Sequence, residues 1–235
     1  MLVFVAAALA GPSQQQITYD LALDGEKVGT RDVTVRWIPR ASGERRVVES
    51  YTTLSAAGAA FACRASGTTS SSGAQFTASV DANGNVSQVQ GMELPGGAWR
   101  VIVVDGDGPE EKQLTAQMST LDLFDPVRAR ALQAPGPFSL VLVETGEVLS
   151  GTLGEGQEGT IKVGGEKVPV TRYTLEGDAG KARFDVDGNG VLLRSELRWL
   201  GGTIVATAQS LPPARSFGEV ETIDQMGTGV EEEAL

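Results

Sequence analysis

Hydrophobic and polar residues alternate through most of the chain, which is the pattern of β-strands with one buried face. The alternation is clear in residues 17–37, where it runs on both sides of a glycine-bounded turn. It returns in residues 75–89 around the letters DANGN, and the Asn-Gly pair supplies the positive φ angles of a tight hairpin turn. These two stretches predict antiparallel hairpins.

The second half of the chain continues the pattern in shorter segments. From residue 138 onward, runs such as FSLVLVE, KVPVTRYTLE and GTIVATAQ are separated by glycine-rich turns. The chain therefore predicts on the order of ten or more strands, which suits one large antiparallel sheet. The predicted fold class is mainly β, with a large curved antiparallel sheet, or half-barrel.

One region predicts helix instead of strand. Ser119 and Asp122 have the spacing of a capping box, and Asp125 followed by Pro126 places a cap and a fixed φ before VRARALQ. The Pro-Gly-Pro letters at 135–137 end this region. We predict one or two short helices that pack on the open side of the sheet.

The two ends of the chain differ from the β-rich domain predicted for residues 16–210. Residues 1–10, MLVFVAAALA, predict the apolar core and cleavage site of a signal peptide, with a buried N-terminal strand as the alternative. This run is too short to cross a bilayer, so we expect no transmembrane segment and a soluble periplasmic or secreted protein. Residues 211–235 begin with a Pro-Pro pair and end in glutamates, and they predict a flexible acidic tail.

The amino-acid composition of the chain argues against several classes of function. The chain has 19 lysines and arginines against 30 aspartates and glutamates, a net charge of -11, so its surface repels nucleic-acid phosphates. It contains no histidine, which excludes Ser-His-Asp triads and His-ligated metals, and we expect no enzyme. Cys63 is the only cysteine, so no intramolecular disulfide forms, and we expect a small buried hydrophobic residue there.

Residues 184–200, FDVDGNGVLLRSELRWL, fit two incompatible structures. The calcium ligands of an EF-hand loop would be the side chains of Asp185, Asp187, Asn189 and Glu196, and the carbonyl of Val191. An EF-hand also needs a helix on each side, whereas glycines precede this stretch and strand-like alternation follows it. A β-hairpin turn is the favoured interpretation, with calcium kept as an alternative and no other cofactor expected.

The opening hairpin YDLALDGEKVG, the mid-chain helix and the closing FDVDGNGVLLRSELRWLGG resemble bacterial lipoprotein-localisation carriers of the LolA and LolB type and their uncharacterised envelope relatives. The resemblance implies a half-barrel whose helices plug the open side and whose apolar concave face shelters acyl chains. This chain differs from the membrane-anchored members of that group because it lacks a lipobox cysteine. Aromatic residues are the candidates for the ligand lining, with ordinary core packing as the alternative for each: Trp37, Phe61, Phe76, Trp99, Phe138, Tyr173 and Trp199.

The leading hypothesis is a non-enzymatic exported protein that binds an apolar small molecule or lipid, such as a lipoprotein acyl chain. A second hypothesis is an envelope scaffold subunit that docks on a protein partner through its C-terminal tail. Apolar residues recur there at every third position, namely Phe217, Val220, Ile223 and Met226. The third is a calcium-binding module at Asp185 to Glu196.

Overall fold

The computed structural model describes residues 14–40, 43–56, 58–178, 180–199 and 202–213, without the side chain of Trp199. The predicted signal peptide at residues 1–10 lies outside the described residues. The tail from residue 214 onward, which carries the four apolar positions of the scaffold hypothesis, also lies outside the described residues.

Strands dominate the described part of the chain. They are β1 Gln14–Leu23, β2 Glu26–Arg40, β3 Gly43–Ala56, β4 Ala59–Ser70, β5 Gly73–Ala82, β6 Asn85–Glu93, β7 Ala98–Asp105, β8 Gly108–Thr115, β9 Met118–Ser119, β10 Gly136–Val141, β11 Val148–Leu153, β12 Gln157–Val163, β13 Glu166–Gly177, β14 Gly180–Val186, β15 Leu192–Trp199 and β16 Gly202–Ala208. Two 3₁₀ helices lie between β9 and β10, at Thr120–Phe124 and Arg128–Gln133.

All sixteen strands belong to one open, curved sheet, which confirms the predicted fold class. The order is β8-β7-β6-β5-β4-β3-β2-β1-β16-β15-β14-β13-β11-β10-β9, and β12 pairs with β13 beside this path. Neighbours are antiparallel except β9 and β10, which run parallel. Because β1 pairs with β16, the first and last described strands lie side by side in the middle of the sheet.

The predicted alternation is present in the burial of individual strands. In β1, every second residue from Gln15 to Leu21 is buried, and Tyr19 is fully buried opposite Arg31 of β2. The Tyr19 hydroxyl donates a hydrogen bond of 2.7 Å to the carbonyl oxygen of Leu192, which links β1 to β15 across the concave side. One face of each long strand therefore contributes to a common core.

The 3₁₀ helices cover part of the concave face, where the sequence predicted short helices. The predicted capping box is present, since the backbone N–H of Ser119 donates to Asp122 Oδ2 over 2.7 Å. Pro126 has no N–H and interrupts the helical hydrogen bonds between the two segments, so each stays short. Their buried residues include Leu121, Phe124 and Leu132, which belong to the core.

Buried ion pairs fasten these helices to the sheet. Arg46 Nε of β3 lies 2.6 Å from Asp125 Oδ2, and the Asp125 side chain is almost completely buried. Burial raises the pKa of Asp125, and the positive charge of Arg46 acts in the opposite direction. Arg128 lies 3.4 Å from Asp122 and 3.5 Å from Glu93 of β6. The helices are thus held at both β3 and β6.

The turn at residues 142–147 fills another part of the concavity. Glu144 Oε1 accepts a hydrogen bond of 2.9 Å from Arg31 Nη2 of β2, and both side chains are largely buried. A Cβ built on Gly146 would lie 2.7 Å from Val103 Cγ2, so the bare glycine backbone packs directly on β7. The concave face is therefore occupied by the chain's own residues.

Candidate functional site

A cleft of about 540 Å³ opens at one end of the sheet. Its walls come from the ends of β1 and β2, the middle of β13, the second 3₁₀ helix and the turn between β14 and β15. The turn is formed by residues 187–190. We call this space the end cleft.

Apolar side chains form the deeper walls of the end cleft. Trp37 of β2 and Tyr173 of β13 both line it and are 4% and 7% exposed. Val186 and Val191 flank the turn, and Val127 contributes from the 3₁₀ side, where it is half-buried. Such a surface suits the apolar part of a ligand.

The 187–190 turn forms a fixed rim of the cleft. Asp187 Oδ1 accepts hydrogen bonds from the backbone N–H groups of Asn189, over 2.9 Å, and Val191, over 2.8 Å. Gly190 has a φ of +83°, and a Cβ there would lie 3.0 Å from the carbonyl oxygen of Pro126. Only glycine satisfies both the backbone angle and the close approach to the 3₁₀ region.

Polar groups contribute at least as much of the cleft lining as apolar groups do. Gln15 is buried, and its Nε2 donates a hydrogen bond of 3.3 Å to the carbonyl oxygen of Pro213. Arg130 and Gln133 are exposed on the second 3₁₀ helix. An apolar wall beside several polar groups suits a small molecule that has an apolar part and a polar part.

The proposed calcium ligands of residues 185–196 are engaged elsewhere. Asp185 is fully buried, and its two carboxylate oxygens accept hydrogen bonds of 2.6 and 3.1 Å from Arg172. Glu196 Oε2 lies 3.3 Å from Arg183 and 3.4 Å from Arg194. The flanking elements are strands β14 and β15 and not helices, so the hairpin interpretation is confirmed.

The candidate calcium ligands divide between ion pairs in the sheet and the rim of the end cleft. Across the described ranges, no three or more His, Cys, Asp or Glu side chains are grouped to hold a metal ion. Asp187, Asn189 and Val191 instead form the rim of the end cleft. Calcium binding stays a prediction without geometric support.

The six described aromatic candidates all belong to the buried core, and two of them also line the end cleft. Trp37 and Tyr173 are brought together at the end cleft. Phe61, Phe76, Trp99 and Phe138 belong to the buried core, where the rings of Phe76 and Trp99 lie 5.7 Å apart between centroids. The side chain of Trp199 lies outside the described part. A ligand contact by these other residues stays a prediction.

Gln15, Arg130 and Gln133 are cleft residues that the sequence interpretation missed. Arg130 and Gln133 stand in the VRARALQ segment, where a 3₁₀ helix places residues three apart on one face. Residues three apart also share a face in an α-helix, so the predicted helix was enough to pair the two side chains. Gln15 precedes the predicted domain start at residue 16, although β1 begins at Gln14.

A larger and shallower groove of about 730 Å³ crosses the outer face of β2 to β6. Its lining includes Tyr51, Arg64, Ser66 and Thr77, and the Arg64 guanidinium lies 4.9 Å from the Tyr51 ring centroid. Hydroxyl and charged groups of this kind are the ordinary solvent face of an antiparallel sheet. The end cleft is the more enclosed of the two spaces, so it is the better candidate for a bound small molecule.

Cys63 lies in the interior near the charged pair of Arg31 and Glu144. Burial, and to a smaller extent the nearby Glu144, raise the pKa of its thiol to about 12, while Arg31 acts in the opposite direction. At neutral pH the group is a protonated thiol with little nucleophilic character.

These features define a class: a mainly β protein built on one open, curved sheet with a cleft at one end. Among solved structures, it is similar to the "Beta-barrel-like Protein of Domain of Unknown Function DUF1849 from Brucella abortus". The TM-score is 0.55 at 11% identity, and the alignment covers 86% of this chain and 98% of the other. At this identity the likeness shows the fold alone.

The other comparisons give no relative. No protein-family model matches the chain, and no curated protein matches it. Among the described residues, no helix is long and apolar enough to cross a membrane.

Proposed function

We propose that this is a non-enzymatic exported protein that binds an apolar ligand, such as a lipid acyl chain, in the end cleft. The observation that carries the proposal is the cleft itself, where Trp37 and Tyr173 form an apolar wall beside several polar groups. The apolar wall can hold the apolar part of a small molecule, and the polar groups can orient it.

The size of the cleft favours one ligand molecule of modest size. Its volume of about 540 Å³ lies within the roughly 300–1,000 Å³ range of small-molecule sites. The concave face offers less room, because Phe76, Trp99 and the 142–147 turn pack inside it. The ligand therefore binds at the end of the sheet and not along its inner face.

Export and the absence of catalysis rest on the sequence. Residues 1–10 have the letters of a signal peptide, and the β-rich fold agrees with the resemblance to the lipoprotein-localisation carriers. The chain has no histidine, and the Asp187 carboxylate of the cleft accepts hydrogen bonds within its own turn. A binding protein of the bacterial envelope accommodates all of these features.

The test is binding of the neutral apolar dye N-phenyl-1-naphthylamine to wild type and to two matched variants. Val127→Asn introduces a polar group into the cleft, and Val86→Asn makes the same change at an exposed site on β6. Loss of one valine contact is worth about 1.5 kcal/mol, or about tenfold in affinity. We expect that loss in the first variant and wild-type affinity in the second.

Organic extraction of the purified protein, followed by mass spectrometry, identifies the natural ligand. No extractable lipid together with no dye binding contradicts the proposal. Equal dye binding by both variants contradicts the assignment to the end cleft.

A further inference from the structure

We propose that the end cleft selects an anionic amphiphile, whose chain lies against Trp37 and Tyr173 and whose carboxylate or phosphate pairs with Arg130. This inference rests on the proposed function, because it names the ligand class of the same site. It is carried by the different roles of the two charged residues that line the cleft.

The carboxylate of Asp187, the acidic side chain of the cleft, is hydrogen-bonded within its own turn. Asp187 Oδ1 accepts two backbone N–H groups of its own turn, and Oδ2 lies 3.4 Å from the Asn189 side-chain amide. These bonds shape the rim, so the Asp187 carboxylate serves the turn and is poorly placed to bind a ligand cation.

The positive charge of the cleft is available. Arg128, two residues earlier, is held by Asp122 and Glu93. Arg130 is exposed at the cleft and forms no ion pair with any described residue. A guanidinium group presents a planar fork of donors that matches a carboxylate or a phosphate.

A second donor stands beside this guanidinium. Arg130 and Gln133 are three residues apart in the second 3₁₀ helix, and side chains at that spacing eclipse each other in this helix type. The Gln133 carboxamide therefore shares a face with Arg130 and lines the same cleft. Two donors beside an apolar wall suit a head group joined to a hydrocarbon chain.

The net charge of the chain does not favour an anionic ligand. At a net charge of -11, the protein as a whole repels anions. Any preference for an anionic head group must come from side chains at the cleft, and it must weaken as salt screens them.

The experiment compares three ligands with the same twelve-carbon chain: dodecanoate, dodecyl phosphate and the neutral 1-dodecanol. Their affinities are measured by displacement of N-phenyl-1-naphthylamine, below their aggregation concentrations, from wild type, Arg130→Gln and Arg64→Gln. Arg64 is the matched control, because it lies on the outer face over Tyr51, away from the end cleft. Circular dichroism checks that the variants are folded.

We expect at least one anion to bind wild type about fivefold more tightly than 1-dodecanol, as one charge-assisted contact allows. Arg130→Gln should lose this preference and keep its affinity for the alcohol, while Arg64→Gln should behave as wild type. The comparison of dodecanoate with dodecyl phosphate tells which head group is preferred.

Equal affinity for all three ligands, or a preference that survives in Arg130→Gln, overturns the inference and leaves the apolar cleft intact. Failure of all three ligands to displace the dye, or failure of the dye to bind, overturns the proposed function as well. High salt should reduce the wild-type preference, and a salt-independent preference also contradicts the inference.

Discussion

The buried Arg172–Asp185 pair provides a strong test of the hairpin behind the end cleft. The two residues are directly opposite each other on β13 and β14, next to the cleft residues Tyr173 and Val186. Asp185 is fully buried, while the Arg172 side chain is 30% exposed. We predict that Asp185→Asn removes the charge from two hydrogen bonds and destabilises this part of the sheet.

The magnitude follows from the burial of the two partners. Removal of one partner from a fully buried ion pair costs about 3–5 kcal/mol, because the other charge stays uncompensated. Arg172 can regain contact with water, and charged hydrogen bonds contribute about 1.5–3 kcal/mol each. We therefore expect a loss of about 2–3 kcal/mol, measured by urea unfolding followed by tryptophan fluorescence.

A matched control separates burial from hydrogen-bond geometry. Glu111 accepts two hydrogen bonds of 2.8 Å from Arg100, so this pair has the same fork geometry at an exposed site. The hydrogen bonds to Arg100 lower the pKa of Glu111, yet solvent screens exposed pairs. Glu111→Gln should leave the unfolding midpoint unchanged. Equal effects of the two substitutions, or a neutral Asp185→Asn, would refute the reasoning.

The same variant addresses calcium. Since the Asp185 carboxylate is bound by Arg172, the melting temperature of wild type should be the same in excess calcium and in chelator. A rise with calcium that disappears in Asp185→Asn would contradict the ion-pair assignment and favour the calcium loop.

Three further predictions concern the core. A Cβ at Gly91 would overlap the Phe76 ring, so Gly91→Ala should lose about 1–3 kcal/mol in thermal melts, while the open site Gly106→Ala should be near neutral. Because burial raises the pKa of Cys63 to about 12, a thiolate-specific reagent should label it slowly in native protein and rapidly in urea; equal rates would refute this. Burial raises the pKa of Asp125, so the folded carboxyl is protonated at a higher pH than the unfolded one, and its contribution to stability is lost as pH rises through that pKa. Unfolding curves should then show that the free energy of unfolding of wild type rises relative to that of Asp125→Asn as the pH falls toward about 4. A wild-type advantage that grows at high pH would contradict the raised pKa.

Local features of the fold could be predicted because local chemistry determines them. The β1–β2 hairpin follows from alternation around one turn, and the capping box at Ser119 and Asp122 is present as expected. The 187–190 turn follows from its Asp, Asn and Gly letters. The Arg172–Asp185 pair could also have been found, since pairing Gly177 with Gly180 places these residues opposite each other.

Long-range features could not be predicted in this way. Nothing local indicates that β1 pairs with β16, or that Trp37 and Tyr173 line the same cleft. Those contacts depend on how many strands lie between the partners and on the curvature of the sheet, which arises from packing of the whole core. The 3₁₀ form of the helices depends on Pro126 and on anchoring by distant residues such as Arg46.

Amide chemical-shift mapping by NMR tests the central claim most directly. The 24.5 kDa protein is titrated with dodecanoate, and the shifts of its backbone amides are followed. Binding at the end cleft predicts that the largest changes fall in residues 127–133, 171–173 and 186–191. Changes centred on the outer face of β2 to β6, or no changes at all, would contradict the account.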